Sequence, residues 1–270
     1  MKLGVSTWSL LSLDLLSAVR MVGDAGFEYI ELWGEVPHAY PDWTDRAKLR
    51  DALSPYSLTL TMHAPFTDLN PATPFQPVKA AVEKTLEQFV SFGASLGASI
   101  VTIHPGSVHN EAMVPGSVEG AVSTLKKLTR AADGRLSINV ENQTRSRSKY
   151  HLPLASTTES LELILDEVEG LGFTLDTGHA HVNGQDPAAL AERAGPRLTE
   201  VHLHDNSGSS DEHLVPGQGN ARLGPFVESL AGSKALVCLE LDPYRYAPDE
   251  AIKASEGLRA SRQGGLRTIR

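Results

Sequence analysis

The chain has 270 residues, of which 41% are hydrophobic and 21% are charged, and its formal net charge is -9. This length and composition favour a single compact domain, and the lone cysteine, Cys238, excludes a disulfide framework and a cysteine-based metal site. The negative charge disfavours a broad phosphate-binding surface, although three bound dications would add +6 and leave -3.

Short β-rich runs alternate with longer helical patterns along the chain. In the first half, the pairs are LGVST and LDLLSAVRMVGDAG, YIELW and TDRAKLRDAL, LTLTMHA and PVKAAVEKTLEQFVSFGASLG, SIVTIHPG and GSVEGAVSTLKKLTRAA. In the second half, they are LSINVEN and STTESLELILDEVEG, GFTLDTGH and DPAALAERAG, LTEVHLHDN and GPFVESLAG, ALVCLELD and PDEAIKASEGLRA. Because eight strands are each followed by a helix, the sequence predicts an α/β fold, a single (β/α)8 barrel over residues 1–261, with 262–270 as a basic C-terminal tail.

The sequence predicts neither a membrane span nor a signal peptide. No run approaches the roughly 18 apolar residues that a membrane helix needs. The apolar N-terminal run is interrupted by Asp14 and lacks a small-residue cleavage site. We therefore expect a cytoplasmic protein with no membrane partner, in an oligomeric state that the sequence leaves open.

Side chains of the metal-ligand type stand at, or just after, the ends of six consecutive predicted strands. They are His63, His104, Glu141, Asp176, His179, His202, Asp211, His213 and Glu240. In a (β/α)8 barrel the loops after the strands build the active site, so these side chains are expected to converge at the carboxyl ends of the strands. Convergence of so many ionisable groups would leave charges buried without partners, at a cost of several kcal/mol each, unless dications bind there. Imidazole mixed with carboxylate favours zinc, with manganese or cobalt as alternatives, over magnesium or calcium.

Five further residues near this predicted mouth are candidates for substrate contact: Trp33, Arg145, Arg147, His204 and Arg245. Trp33 opens an aromatic loop that is suited to stacking on a sugar or a base. The cations after the fifth strand are suited to an anionic group. Both features have an alternative interpretation, since an aromatic loop is equally typical of a packed lid and clustered cations are typical of a solvated loop.

Seven motifs resemble one known superfamily over nearly the whole chain. They are MHAPF, TIHPG, VEN, LDTGH, VHLHD, DEHLVPGQG and LELD, and they resemble the xylose isomerase-like TIM barrels, which include endonuclease IV and sugar phosphate isomerases and epimerases. The isomerase branch implies one metal, held by Glu141, Asp176, His202 and Glu240. The endonuclease IV branch implies three zinc ions, held by His63, His104 and Glu141; by Glu141, Asp176, His202 and Glu240; and by His179, Asp211 and His213.

The complete set of nine favours, as the leading hypothesis, a multi-metal phosphoester hydrolase that resembles endonuclease IV, with abasic-site DNA as its substrate. The alternative is a sugar or sugar-phosphate isomerase or epimerase with a single metal. In that case Glu141 and Glu240 act as an acid and base pair, assisted by His179. The chain departs from the endonuclease IV pattern at four positions, where Phe66, Gly178, His204 and Glu212 replace the usual Tyr, Cys or Ser, Asn and Arg.

Overall fold

The strands of the barrel form where the sequence predicts them. The computed structural model describes residues 1–145 and 150–264, with side chains described as far as residue 258. Its strands are β1 (Lys2–Ser6), β2 (Tyr29–Trp33), β3 (Thr59–His63), β4 (Ile100–Ile103), β5 (Ser107–Val108), β6 (Ser137–Glu141), β7 (Leu152–Pro153), β8 (Gly172–Asp176), β9 (Leu198–Leu203) and β10 (Leu236–Leu239). Eight of them close a parallel barrel in the order β1-β10-β9-β8-β6-β4-β3-β2, which confirms the predicted fold.

Helices separate the barrel strands. They are α1 (Leu15–Asp24), α2 (Arg46–Leu53), α3 (Gln76–Leu96), α4 (Val114–Ala132), α5 (Thr158–Glu167), α6 (Thr177–Val182), α7 (Pro187–Ala194), α8 (Gly224–Ser229) and α9 (Pro248–Gly264). Several begin with side-chain caps of the kind that favours helix initiation; Asp14, for example, accepts a hydrogen bond from the backbone N–H of Ser17. Helix α9 continues to Gly264, three residues beyond the end predicted for the barrel. No helix in the described part of the chain is both long enough and apolar enough to span a membrane.

The sequence did not predict two small elements, and both lie at the mouth of the barrel. Strands β5 and β7 pair in a two-stranded antiparallel ribbon outside the barrel. Helix α6 starts directly after β8, where the Asp176 carboxylate accepts a hydrogen bond from the backbone N–H of His179 at 2.7 Å. That contact starts the helix directly at the end of the strand and places His179 at the mouth of the barrel.

The strand register places some residues of the barrel mouth directly opposite one another on neighbouring strands. Trp33 pairs with His63, His63 pairs with Thr102 and Asp176 pairs with His202 across neighbouring strands. One layer below, the interior of the barrel is polar. The fully buried Glu200 carboxylate accepts hydrogen bonds from Tyr29 and from three threonine hydroxyls, those of Thr61, Thr102 and Thr174. These bonds satisfy a charge that would otherwise be costly to bury.

Candidate functional site

All nine predicted ligand-type side chains meet at the carboxyl end of the barrel. Their donor atoms form overlapping groups, and within each group the atoms lie within 4.8 Å of one another. The three main groups are His63, His104 and Glu141; Asp176, His202 and Glu240; and His179, His204, Asp211 and His213. This grouping follows the division that the endonuclease IV resemblance implies, with His204 added. The use of these residues for metal binding stays a prediction.

The first group is built around one carboxylate. Glu141 Oε2 lies 2.9 Å from His104 Nε2 and 3.3 Å from His63 Nε2. Burial alone would lower the pKa of His63, but its hydrogen bond to Glu141 and the Glu141 charge raise that pKa to about 9. Burial alone would raise the pKa of Glu141, but His104 and His202 hold it well below its usual range. Glu141 therefore has two imidazole partners, and His63 is the one that offsets its charge, since burial lowers the pKa of His104.

The outer group is also internally paired. Asp211 Oδ2 lies 3.0 Å from His213 Nε2 and 3.2 Å from His179 Nε2. Burial alone would lower the pKa of His213, but the Asp211 charge and hydrogen bond raise it to about 9. This group is the nearest of the three to solvent, because the Asp211 side chain keeps 29% of its surface exposed.

The central group contains two potential metal-ligand atoms that have no hydrogen-bond partner among the described residues. His202 Nδ1 lies 3.4 Å from Glu141 Oε1 and 3.5 Å from Glu240 Oε2, between the two carboxylates. Neither His202 Nδ1 nor Glu240 Oε1 has a hydrogen-bond partner among the described residues, although both are buried. Ligands at about 2.1 Å from a tetrahedral ion lie about 3.4 Å apart, so the observed spacing fits a shared dication. Asp176 completes this group.

The nine side chains leave fewer charges unpaired than their convergence predicts. Around the centre, carboxylates and imidazoles alternate, and most of them satisfy one another. Of the nine predicted ligands, only His202 and Glu240 carry a buried polar atom that is unpartnered among the described residues. Burial, together with the nearby Glu31 charge, raises the pKa of Glu240, and the neighbouring imidazoles offset this only in part. The need for a dication is therefore concentrated in the central group.

The imidazoles are oriented so that one nitrogen of each faces the cluster. The Nδ1–H groups of His63, His179 and His213 donate to the backbone carbonyls of Ala64, Asn142 and Glu240 at 2.9, 2.7 and 3.1 Å. His202 reverses this arrangement, because its Nε2–H donates to the buried Glu31 at 3.0 Å. Bonds of this kind fix the tautomer and ring orientation of metal-binding histidines, so they support a metal-binding role.

Glu31 is a positioning residue that the sequence analysis missed. We expect Glu31→Gln to weaken binding of a divalent ion by about 10–100-fold, since it replaces the charged acceptor that orients His202 with a neutral amide. Calorimetric titration of metal into the metal-free protein measures the effect, and thermal unfolding of the same samples reports any general loss of structure. The matched control is Glu28→Gln, at an exposed position just before β2. Equal affinity in the wild-type protein and the Glu31 variant would refute this role.

Two departures from the endonuclease IV pattern, Gly178 and His204, are coupled in space. The His204 imidazole is fully buried, donates to the Asp176 carboxylate at 3.0 Å and stacks on His213 with ring centroids 3.8 Å apart. A Cβ atom added at Gly178 would lie 1.9 Å from His204 Cε1. The large imidazole at 204 therefore requires glycine at 178. The contact lets His204 support the Asp176 carboxylate, and the substrate contact expected of His204 stays a prediction.

We expect Gly178→Ala to destabilise the protein by about 1–3 kcal/mol, the usual cost of forcing an extra atom into a packed interior. Denaturant unfolding measures the loss. The control is Gly116→Ala in α4, where an added Cβ meets nothing within 4 Å and an alanine should be neutral or stabilising. The double variant with His204→Asn should recover much of the loss in the single variant. An additive double variant would show that the two positions are independent.

The remaining substrate-contact candidates occupy different places. Trp33 lies at the mouth, with its ring centroid 4.7 Å from that of His63. Arg145 and Arg245 are exposed, Arg145 beside a cavity of about 370 Å³ that also touches Asp211, and Arg245 near Glu212. Arg147 lies outside the described residues.

The rest of the aromatic loop after β2 packs on itself. Tyr40 stacks on Trp43 and on Phe89, and the Trp43 Nε1–H donates to the carbonyl of His38. These contacts match the packed-lid interpretation of that loop. Trp8, which the sequence analysis did not select, does reach the mouth, with its ring 4.5 Å from that of His213. Its place directly after the first strand was the signal that could have identified it.

Comparison with known proteins places the chain in a family. It matches the family described as xylose isomerase-like TIM barrel over residues 19–263. It is 30% identical over 269 residues to an uncharacterized protein of Methanocaldococcus jannaschii, with 96% of this chain and 88% of that protein covered. A D-tagatose 3-epimerase-like protein superposes with a TM-score of 0.87 at 28% identity, with both chains covered completely. An L-ribulose 3-epimerase superposes with a TM-score of 0.81 over 99% and 95% of the two chains, at 17% identity, which shows the fold alone.

The closed barrel and its rim of ligand-type side chains define the class as a (β/α)8-barrel protein with a site at the carboxyl ends of its strands. Within that class, the chain belongs to the family of xylose isomerase-like TIM barrels. The resemblance read from its motifs is confirmed, as is membership of an enzyme family. The sugar epimerases among the similar structures favour the alternative hypothesis over the leading one, and abasic DNA gains no support from them.

Proposed function

We propose that the protein is a metal-dependent sugar epimerase or isomerase that acts at a carbon next to a carbonyl. The observation that carries the proposal is the position of the unpartnered donor atoms. His202 Nδ1 and Glu240 Oε1 belong to the four-residue centre that one metal requires. In the outer group, Asp211 is paired with His213, and His104 pairs with Glu141, which is itself a member of the centre. The similarity to a D-tagatose 3-epimerase-like protein supports the same choice.

The residues that would hold the ion are Glu141, Asp176, His202 and Glu240. They offer three carboxylates and one imidazole, a mixture that suits manganese, cobalt or zinc. When bound, a dication would polarise the carbonyl group of the sugar and make the neighbouring C–H bond more acidic. The buried Glu31 would keep His202 in the tautomer with a free Nδ1, and His204 would hold the Asp176 carboxylate in place.

Two carboxylates flank the place where the reacting carbon would lie. Glu141 ends β6 and Glu240 follows β10, two strands that are separated in the barrel by β8 and β9. Each lies about the same distance from His202 Nδ1, at 3.4 and 3.5 Å. One carboxylate would remove the proton from the carbon, and the other would return a proton from the opposite face. His179, whose Nδ1–H donates to the Asn142 carbonyl, would assist through the positive charge of its imidazole, 3.4 Å from Glu141 Oε1.

A panel of free ketopentoses and ketohexoses in D₂O tests the proposal directly. Protein loaded with manganese, cobalt or zinc should convert at least one sugar to its epimer or isomer, with one solvent deuteron incorporated per turnover at the reacting carbon. Protein treated with chelator is the control. Conversion without deuterium incorporation would contradict the two-carboxylate mechanism. The absence of conversion for every sugar in the panel would reject the proposed substrate class.

A second candidate, multi-metal phosphoester hydrolysis, is favoured by one observation. The donor atoms form several overlapping groups, each compact enough for an ion, and several ions would be able to activate water and stabilise a leaving oxygen. Metal-dependent nicking of a duplex with one abasic site tests this candidate. Nicking that is lost in His104→Ala and His213→Ala would support it and would rule out a simple epimerase.

A further inference from the structure

A cleft leads away from the candidate site on one side of the barrel mouth. It is a cavity of about 640 Å³ that starts at His104, His179 and Asp211 and extends outward past Gln143 and His151. The ribbon of β5 and β7 forms part of its wall, through Ser107 and Pro153. Pockets for drug-sized ligands occupy about 300–1,000 Å³, so the cleft has room for a group attached to the reacting sugar.

Gln143 lines this cleft, and its side-chain amide holds a hydrogen-bond donor that has no partner among the described residues. Its backbone is held from both sides, because its N–H donates to the carbonyl of Ala155 and its carbonyl accepts from Asn183 Nδ2. Its side chain lines the cavity, and its buried Nε2 has no partner among the described residues. An amide donor that is buried without a partner costs free energy, and rotation of this side chain into the cleft would let a ligand oxygen remove that cost.

The other walls of the cleft suit a neutral polyhydroxylated group. Phe66 stacks on His104 with a centroid distance of 4.4 Å and an interplanar angle of 13°, and Phe66 lines the cavity with its exposed ring. A flat aromatic wall of this kind packs well against the C–H face of a sugar ring. Among its described lining residues the cleft has two carboxylates, Asp68 and Asp211, and neither lysine nor arginine. The described part of the lining therefore favours a neutral group over an anionic one.

We infer that the cleft is a subsite for a second sugar ring, so that the preferred substrate is a glycosylated keto sugar rather than a free monosaccharide. This inference rests on the proposed function, since the reacting unit is placed at the four-residue centre. The second ring would lie along Phe66 and would accept a hydrogen bond from Gln143 Nε2. A phosphorylated sugar is the competing possibility, with Arg145 in the neighbouring cavity as the group that would attract it.

Ketoses that differ in one substituent test the inference. D-Fructose is compared with isomaltulose and trehalulose, which carry glucose on O6 and O1 of the fructose unit, and with fructose 6-phosphate and fructose 1-phosphate. For metal-loaded protein we expect kcat/KM for one glucosylated ketose to exceed that for D-fructose by about tenfold or more, an effect that one or two good hydrogen bonds can produce. Calorimetric binding of the same five compounds gives a second measure that does not depend on turnover.

Two variants locate the effect in the cleft. The quantity compared is kcat/KM for the glucosylated ketose divided by kcat/KM for D-fructose. Gln143→Ala and Phe66→Leu should each lower this ratio by about tenfold. The control, Gln88→Ala on the exposed surface of α3, should leave the ratio unchanged. Phe66 lies on a loop, so the second variant keeps the test valid if the first does not fold.

The outcomes separate the subsite from the proposed reaction. A preference for D-fructose or for either phosphate would overturn the inference, as would a ratio that neither variant changes. If none of the five compounds is turned over, the proposed reaction on these ketoses fails. The calorimetric ratio then still decides the subsite: tighter binding of a glucosylated ketose that depends on Gln143 would uphold it, and equal binding would overturn it.

Discussion

Glu240→Gln should lower kcat for sugar epimerisation by at least about 10²–10⁴-fold, the range usual for loss of a general acid or base. Glutamine has the same shape and keeps an oxygen for the metal, but it cannot carry the proton. Glu141→Gln should lower kcat similarly. Because each carboxylate is proposed to serve one face of the reacting carbon, each variant should lose C–H exchange with solvent deuterium for one epimer and retain it for the other.

The measurements are kcat for both directions, and deuterium incorporation into each epimer by NMR. The control is Glu119→Gln, at an exposed position on α4 that lies outside the site. Metal analysis of the same samples distinguishes loss of the proton carrier from loss of the ion. If Glu240→Gln retains epimerisation at the wild-type rate with metal bound, the acid and base assignment is wrong. Loss of exchange for both epimers in one variant would indicate a single base.

Asp176→Ala should remove the tightly bound ion, whereas His63→Ala and Asp211→Ala should keep one ion per chain. The reason is that the unpartnered donor atoms lie in the central group, and Asp176 is part of that group. The other two groups are internally paired, with His104 on Glu141 at 2.9 Å and His213 on Asp211 at 3.0 Å. Removing a carboxylate ligand from the centre leaves too few donors for a stable site.

Elemental analysis of protein purified without added metal measures the stoichiometry, and ketose turnover by the same samples measures function. We expect about one ion in the wild-type protein and a change in kcat/KM of less than about tenfold in His63→Ala and Asp211→Ala. In Asp176→Ala we expect near-complete loss of the ion, and turnover that is lower by about 10²-fold or more. About three ions in the wild-type protein, with turnover lost in all three variants, would contradict the one-metal proposal and favour the multi-metal candidate.

Most of the fold and the rim of the site could be predicted from sequence. Strand and helix periods are local properties, so each of the eight predicted strands was found in the barrel. In a (β/α)8 barrel the loops after the strands build the active site, so polar residues at strand ends were expected at one mouth. His63, Glu141 and Asp176 do lie there. Glu31 was not predicted as a site residue, because it lies within β2 and not at its end. Helix α6 was not predicted, because it follows a strand without a turn signal and depends on one capping contact.

The sequence by itself determined the barrel, the family and the set of side chains that could bind a metal. It could not determine how those side chains pair, because that depends on distances across strands far apart in the chain. Only the tertiary structure decided that Glu141 and Asp211 hydrogen-bond to imidazoles, while His202 Nδ1 and Glu240 Oε1 have no hydrogen-bond partner among the described residues. The physical reason is that pairing of buried charges is set by three-dimensional geometry and burial, whereas residue type and spacing give only the number of charges.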